Sequence, residues 1–326
     1  MNLAGRNPLP GRAIALALFF LPLYNEAQHV VAQNNSQIKS GTSLMVVQAP
    51  VQYPDGRPVA RYRLEAKDHG IVLRHGNGPR GCDSLGARDI WVWQHRGVYY
   101  MHYDGAGANG WLACLATSRD AIAWKKLGPA LNFGERGQKD AASASYGVTF
   151  LNNRMWHMFY LGTPNTSPPP DLVPSFPYLT MKADASSPTG PWTKRYDIVP
   201  FSPQAGTYYS ATASPGQIIQ RGKEYLMFFS ASTDNPILRT IGIAHTRNLN
   251  GPWKIDPRPI LAPSEQIENT SLWYDAKTKT WFLFTNHVGL KNGLEYTDAV
   301  WVYWTKDLEQ WNPDHKAVVL DGSNCT

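Results

Sequence analysis

Residues 86–124 read GARDIWVWQHRGVYYMHYDGAGANGWLACLATSRDAIAW, and this stretch decides the fold class. Aromatic and β-branched residues dominate three runs, Ile90 to Gln94, Val98 to Tyr103 and Trp111 to Thr117. Glycine-marked turns separate the runs, and a Ser-x-Asp turn leads to a fourth run that begins at Trp124. Strand-forming residues between such turns are typical of consecutive hairpins. The stretch therefore predicts one four-stranded antiparallel unit.

The same unit recurs along the chain. The turn that ends at Trp124 has three later counterparts, which end at Trp192, Trp253 and Trp311, 58 to 68 residues apart. Upstream of each turn lies an aromatic-rich segment: VYYMHYDG, MWHMFYLG, EYLMFFSA and TWFLFTNH. Radial repetition of four-stranded sheets is the architecture of a β-propeller. The four predicted blades cover residues 86–128, 141–200, 208–262 and 267–320.

The number of blades depends on the two ends of the chain. Strand-like pieces within residues 41–80 are expected to supply part of a fifth blade and to close the ring. After Leu320 the sequence continues only as DGSNCT. We therefore expect an all-β, five-bladed propeller whose C-terminal blade is incomplete in this chain. Residues 33–80 form its N-terminal segment and residues 81–326 the propeller domain.

The N-terminus predicts export. Arg6 and Arg12 precede an apolar segment, residues 13–24, and Val30-Val31-Ala32 places small residues before a cleavage site. This order is that of a secretory signal peptide, residues 1–32. The apolar segment is too short to span a bilayer. We expect the mature protein to be secreted or periplasmic.

Export permits disulfides, and the chain has three cysteines. Cys82 and Cys114 both belong to the first repeat, so a bridge between them is one hypothesis. Cys325, one residue from the end, is then left over.

Composition limits the partners. The 326 residues carry a net charge of +6 without a dense basic run, so no nucleic-acid partner is predicted. No membrane or protein partner is indicated either. The 12 Trp, 16 Tyr and 11 Phe are enough for a core and for stacking on sugar rings. A carbohydrate is the expected partner.

Three carboxylates precede predicted inner strands. The innermost strand of each propeller blade lines the central channel, so residues just before these strands meet at one mouth. Asp89, Asp140 and Glu268 take that position in the first, second and fourth units, whereas the third has no acid there. Glycosidic cleavage needs two carboxyl groups, and a third group can help one of them to hold its proton. Each acid could alternatively cap backbone amides of a turn.

With an Asp before the first inner strand, S-x-D-x-x-x-W turns and GPW turns, residues 80–320 resemble the five-bladed propeller glycosidases, which include glycoside hydrolase families 43, 32, 68 and 117. The resemblance implies a general base or nucleophile at Asp89 and a transition-state-supporting carboxylate at Asp140. It also implies a glutamate general acid in the third blade. Here the sequence departs from the pattern, because SATASPGQ contains no acid.

Two candidates for the general acid remain. One is Glu268. The other is His287, because the chain is also similar to family 117, in which a histidine serves as the acid, and an imidazole beside carboxylates can hold a proton near neutral pH. Further polar groups are expected to bind substrate at the channel mouth: Arg88, His102, Asp104, Trp111, Tyr209, Asn269, Glu295 and Asp298.

These features predict a secreted glycoside hydrolase that cleaves terminal sugars from a plant or algal polysaccharide or oligosaccharide, with Asp89 activating water in an inverting reaction. A catalytically silent, glycan-binding propeller is the alternative, because the third blade lacks its acid. A phosphorylase would need basic residues that converge on phosphate. No metal-ligand motif occurs, so no metal or other cofactor is predicted. The resemblance nevertheless allows a calcium or other ion in the channel.

Overall fold

A computed structural model describes residues 45–46, 60–64, 66, 68–291 and 294–321, without the side chains of 45–46 and 290–298. The expected signal peptide and Cys325 lie outside this part of the chain. The described residues form 21 β-strands and two short 3-10 turns, which confirms the all-β prediction. No helix in this part is long and apolar enough to cross a membrane.

Hydrogen bonds join the strands into sheets of eight, five, six and two strands, in which most neighbouring strands are antiparallel. The eight-stranded sheet contains the first and second blades, which are linked by one parallel pairing. Two short strands come first: β1 (Met45–Val46) and β2 (Tyr62–Arg63). The first blade comprises β3 (Gly86–His95), β4 (Val98–Gly107), β5 (Gly110–Ser118) and β6 (Lys125–Pro129). The second comprises β7 (Ser143–Asn152), β8 (Met155–Thr163), an inserted hairpin of β9 (Asn165–Thr166) and β10 (Pro174–Ser175), then β11 (Leu179–Ala185) and β12 (Thr193–Lys194).

The third and fourth blades repeat this order. The third comprises β13 (Thr212–Ser214), β14 (Ile218–Arg221), β15 (Glu224–Ser232), β16 (Arg239–Thr246) and β17 (Lys254–Ile255). The fourth comprises β18 (Ile267–Asp275), β19 (Thr280–Lys291), β20 (Leu294–Thr305) and β21 (Lys316–Leu320). Each of the four predicted units thus contains one group of consecutive strands, and the division into blades stays a prediction.

The repeated tryptophans join neighbouring blades. Trp253 packs edge-on against Phe159 of the second blade, with ring centroids 5.6 Å apart. Trp311 packs in the same way against Phe228 of the third blade at 6.4 Å, and Trp192 against His102 of the first blade at 6.0 Å. Each turn thus places an aromatic ring in the core of the preceding blade. Because buried aromatic pairs contribute to stability beyond their buried area, these contacts explain why the turn tryptophan recurs.

A second repeated feature is a buried cluster of one acid, one tyrosine and one lysine, here called the acid–Tyr–Lys cluster. The acid precedes the inner strand, the lysine lies on the outermost strand, and the tyrosine hydroxyl donates to the same carboxylate. The clusters are Asp83–Tyr103–Lys126, Asp140–Tyr160–Lys194 and Glu265–Tyr303–Lys316. Buried charges persist when they are paired and hydrogen-bonded. Each cluster therefore ties the outer edge of a blade to the start of its inner strand.

The N-terminal segment extends the fourth blade. Strand β2 pairs in parallel with β21, where Tyr62 lies opposite Ala317, and β1 pairs with β2. The strands of residues 33–80 that the structure describes thus add to the last sheet. That the propeller has five blades, and that its ring is closed, both stay predictions. In the first blade, Cys82 and Cys114 form a disulfide with their Cα atoms 6.5 Å apart.

Candidate active site

The inner strand of every blade is irregular near its beginning. The register of β3 skips Asp89, that of β7 skips Tyr146, and that of β18 shifts at Asn269. In the third blade, residues 215–217 separate β13 from β14. Asp89, Tyr146 and Asn269 have φ values of 41°, 30° and 61°, which are uncommon without glycine. Bulges redirect side chains, and such strain clusters at functional sites, so these points define the candidate site.

Arg88, beside the first bulge, faces three carboxyl groups. Its Nε lies 3.3 Å from Oδ2 of Asp89, and its guanidinium carbon lies 4.4 Å from the ring centroid of Trp111. Burial acts to lower the pKa of Arg88. The negative charges of Asp89, Asp104 and Glu268 act against burial, and the pKa is raised above its ordinary value. Acids of the first and fourth blades therefore both act electrostatically on Arg88.

Asp104 is the buried member of this group. It lies opposite Arg88 on β4, is 2% exposed, and accepts a hydrogen bond from the backbone amide of Tyr146. Burial and the charge of Asp89 raise the pKa of Asp104 well above its ordinary value, against the effect of Arg88. Asp104 therefore retains a proton at pH values at which an ordinary aspartate has lost it.

Glu268 brings the third and fourth blades into the site. Its Oε2 lies 2.7 Å from Nη1 of Arg239, the first residue of β16, and the Glu268 side chain is 24% exposed. An ion pair stabilises the charged forms of both partners. Tyr178, just before β11, faces the same charges: burial raises its pKa, and Arg88 and Arg239 oppose that shift. All four blades therefore contribute side chains to one site.

The proline-rich loop between β8 and β11 lies beside this site. The hydroxyl of Tyr178 donates to the carbonyl of Pro174 at 2.6 Å. The indole N–H of Trp111 points to the carbonyl of Asp171 at 3.4 Å. The loop thus contacts two side chains of the candidate site and forms one of its walls.

The structure places six of the residues predicted from sequence at this site: Arg88, Asp89, Asp104, Trp111, Glu268 and Asn269. Sequence reasoning missed three others, namely Tyr146, Tyr178 and Arg239. Their signal was positional. Tyr146 lies at the bulge equivalent to that of Asp89, whereas Tyr178 and Arg239 lie at the start of the third strand of their blades, as Trp111 does in the first blade.

Asp140, His102 and Tyr209 lie inside blades. Asp140 is fully buried in the acid–Tyr–Lys cluster of the second blade, 2.5 Å from Lys194. His102 is also fully buried, and burial lowers its pKa to about 3, so the ring is neutral. Tyr209 is 8% exposed and packs in the core of the third blade. Among the described residues, these three make no contact with the site around Arg88. Their roles in catalysis or sugar binding stay predictions.

The alternative acid, His287, is fully buried in the fourth blade. Its ring stacks on Trp301 with centroids 3.6 Å apart. Glu295 and Asp298 belong to β20, but their side chains lie outside the described part of the chain.

A channel ion is not supported by the side chains that face the site. Two arginines, Arg88 and Arg239, already lie against its carboxylates. Within the described residues, no three or more His, Cys, Asp or Glu side chains are grouped to hold a metal. We therefore assign no catalytic step to a metal.

Solved structures share this fold. A family 117 glycoside hydrolase from the marine bacterium Zobellia galactanivorans superimposes with a TM-score of 0.56 at 17% identity, over 78% of this chain and 75% of that one. A glycosyl hydrolase from Bacteroides ovatus gives 0.53 at 17% identity, over 75% and 72%. A structure from family 130, mannoside phosphorylases that include glycoside hydrolases targeting β-1,2-mannosidic linkages in Candida mannan, gives 0.54 at 17% identity, over 74% and 72%.

No protein-family model matches the chain, and no curated protein is similar to it in sequence. At these identities the superpositions establish the fold, and the resemblance to propeller glycoside hydrolases is confirmed at that level. The activity has to be argued from the site.

Proposed function

We propose that this protein is a secreted glycoside hydrolase that removes terminal sugars from a plant or algal polysaccharide or oligosaccharide. The observation that carries the proposal is the grouping of carboxyl groups with two arginines. Asp89 lies 3.3 Å from Arg88, Asp104 lies opposite Arg88 with a raised pKa, and Glu268 lies 2.7 Å from Arg239. Glycoside hydrolysis needs a basic and a protonated group in one site. Trp111 offers an aromatic face for a sugar ring.

Asp89 is the proposed general base. Its side chain is 34% exposed, so water can reach the carboxylate, and the guanidinium of Arg88 holds it in place at 3.3 Å. In an inverting reaction Asp89 takes a proton from water. The water oxygen attacks the anomeric carbon while the bond to the leaving oxygen breaks.

Glu268 is the proposed general acid, because it is partly exposed whereas His287 is fully buried. Its ion pair with Arg239 has to be released before it can carry the proton that it gives to the leaving oxygen. The hydroxyl groups of a bound sugar are suitable new partners for that guanidinium. Asp104 transfers no proton to the substrate. It acts as a positioning residue, whose own protonation sets the charge beside Asp89.

The test uses the whole chain, its Asp89→Asn variant and its Glu268→Gln variant. Reducing-sugar release is measured on arabinan, xylan and fructan and on agaro- and carrageenan oligosaccharides. Release that depends on Asp89 supports the proposal. A nitrophenyl glycoside of the released sugar has a leaving group that needs little protonation, so Glu268→Gln should keep more activity on it than on the natural linkage. Equal losses on both substrates would remove Glu268 from the role of acid.

Phosphorolysis is a second candidate, because two arginines converge on the site. Arg88 and Arg239 both act on Tyr178, and guanidinium groups bind phosphate oxygens with good geometry. A phosphate oxygen would then attack the anomeric carbon in place of water and give a sugar 1-phosphate. Formation of that product only with inorganic phosphate would favour this candidate, whereas sugar release without phosphate would reject it.

A glycan-binding protein without activity is the third candidate. It is favoured by the ion pair between Arg239 and Glu268, which occupies the carboxylate of the proposed acid. Equal sugar binding by the unaltered chain and by Asp89→Asn, with no release of sugar from any substrate, would support it.

A further inference from the structure

A cavity of about 440 Å³ lies at the outer edge of the second blade. One wall is the loop between β6 and β7, and the other is β12 with the residues that flank it. The lining includes three aromatic and three polar side chains: Phe133, Trp192, Tyr196, Asn132, Glu135 and Gln138. None of these residues belongs to the site around Arg88.

The aromatic side chains suit a sugar ring. Tyr196 is 40% exposed, while Phe133 and Trp192 are half-buried. Aromatic faces held at a surface bind the apolar faces of other rings at a low entropic cost. The volume of the cavity is enough for one or two sugar residues.

The polar side chains select a neutral ligand. The amides of Asn132 and Gln138 and the carboxylate of Glu135 can pair with sugar hydroxyls. The ammonium group of Lys194 lies 2.5 Å from Asp140, so a buried carboxylate neutralises its charge. The remaining charge in the lining is the carboxylate of Glu135, which repels an anionic sugar.

A hydrogen bond joins the two walls of the cavity. Lys194, from one wall, donates to the carbonyl of Asn132, in the other, at 2.5 Å. Burial and the nearby Asp140 carboxylate raise the pKa of Tyr196 to about 12, so its phenol stays uncharged at neutral pH. Such a preformed site binds without the cost of ordering its own side chains.

We propose that this cavity is a second carbohydrate-binding site, which takes one or two residues of a neutral saccharide. It would hold a polymer chain on the protein while the central site acts on a chain end. The choice of a saccharide as the ligand rests on the proposed function.

The test uses the whole chain with Asp89→Asn, so that polymer is not consumed. Its migration is measured in native gels that contain arabinan, xylan or mannan as neutral probes, and polygalacturonate or carrageenan as anionic probes. We expect retardation by at least one neutral polymer. Adding Tyr196→Ala or Gln138→Ala should weaken that affinity about tenfold. The matched control is Tyr274→Ala, at a tyrosine of similar exposure (42%) in the fourth blade, which should leave the affinity unchanged.

Unchanged affinity in both cavity variants would overturn the proposal, as would tighter binding of the anionic polymers or binding of none of the five. The Gln138→Ala variant keeps the test informative should the loss of Tyr196 disturb folding. Hydrolysis of a short oligosaccharide by the unaltered chain reports separately on the proposed function. If that activity is absent while binding still depends on Tyr196, the hydrolase fails and the second site stands.

Discussion

Asp89 and Tyr146 occupy the same position in two successive blades. Each is the bulged residue of an inner strand, with φ values of 41° and 30°, and the backbone amide of Tyr146 donates to Asp104, beside Asp89. One repeated backbone irregularity therefore presents a carboxylate in the first blade and a phenol in the second. The position is set by the fold, and the chemistry is set by the residue that each blade places there.

Replacement of Asp89 tests the proposed base. Asn is the suitable substitute, because it tolerates a positive φ about as well as Asp does. We expect Asp89→Asn to lower kcat roughly 10²–10⁴-fold, the usual contribution of a general base, without a change in thermal unfolding. The control is Asp234→Asn, at an exposed position of the turn before β16. Retention of kcat in Asp89→Asn would exclude this residue as the base.

The raised pKa of Asp104 predicts a pH dependence of stability. In the unfolded chain this carboxyl loses its proton near pH 3.9, whereas in the folded protein it holds the proton to a higher pH. The unfolded state therefore binds fewer protons above about pH 4, and folding becomes less favourable as pH rises toward the folded pKa. The slope is at most about 1.4 kcal/mol per pH unit. Asp104→Asn should remove this slope.

The measurement is the free energy of unfolding by urea between pH 4 and 8, compared between Asp104→Asn and the unaltered chain. The difference between the two should grow with pH in favour of the variant. A constant difference across this range would contradict the assignment of a retained proton to Asp104.

The acid–Tyr–Lys cluster of the second blade should behave as a structural unit. Lys194→Met leaves Asp140 buried without its cation, which should lower the free energy of unfolding by about 3–5 kcal/mol. Lys126→Met should have a similar effect through Asp83 in the first blade. Adding Asp140→Asn to Lys194→Met should restore much of the loss, because no buried charge then remains. Urea unfolding measures all three, and a loss of kcat at unchanged stability in Asp140→Asn would instead support its predicted catalytic role.

The disulfide should stabilise the first blade. Cys82 and Cys114 are 32 residues apart, and closing a loop of that length restricts the unfolded chain by about 3–4 kcal/mol in the chain-entropy model. We expect the double replacement Cys82→Ala and Cys114→Ala to lower the free energy of unfolding by an amount of that order. Cys325→Ala is the control and should have no such effect. Equal stabilities of the oxidised protein and the double variant would contradict the bridge.

The tertiary contacts explain why His102, which was predicted to bind sugar, lies in the core instead. His102 was a candidate for sugar binding, yet in the aligned segments MHYDG and MFYLG it takes the place of Phe159. Both rings pack against the turn tryptophan of the next blade, Trp192 and Trp253 respectively. Comparison of the repeats would have identified this core position, whereas the identity of the residue suggested function.

The sequence by itself determined the class of the fold and the positions of the four blades. These depend on local signals, the alternation of strand residues and the turn that ends in tryptophan, which the chain repeats. It also indicated Asp89 and Glu268, because strand starts converge in a propeller.

Only the tertiary structure decided which charges face one another. It paired Asp140 with Lys194 inside a blade, brought Arg88 and Arg239 to the central site, and buried Asp104 beside Asp89. Ion pairing and burial set the protonation of these groups, and both depend on contacts between residues far apart in the chain. No local pattern of sequence encodes those contacts.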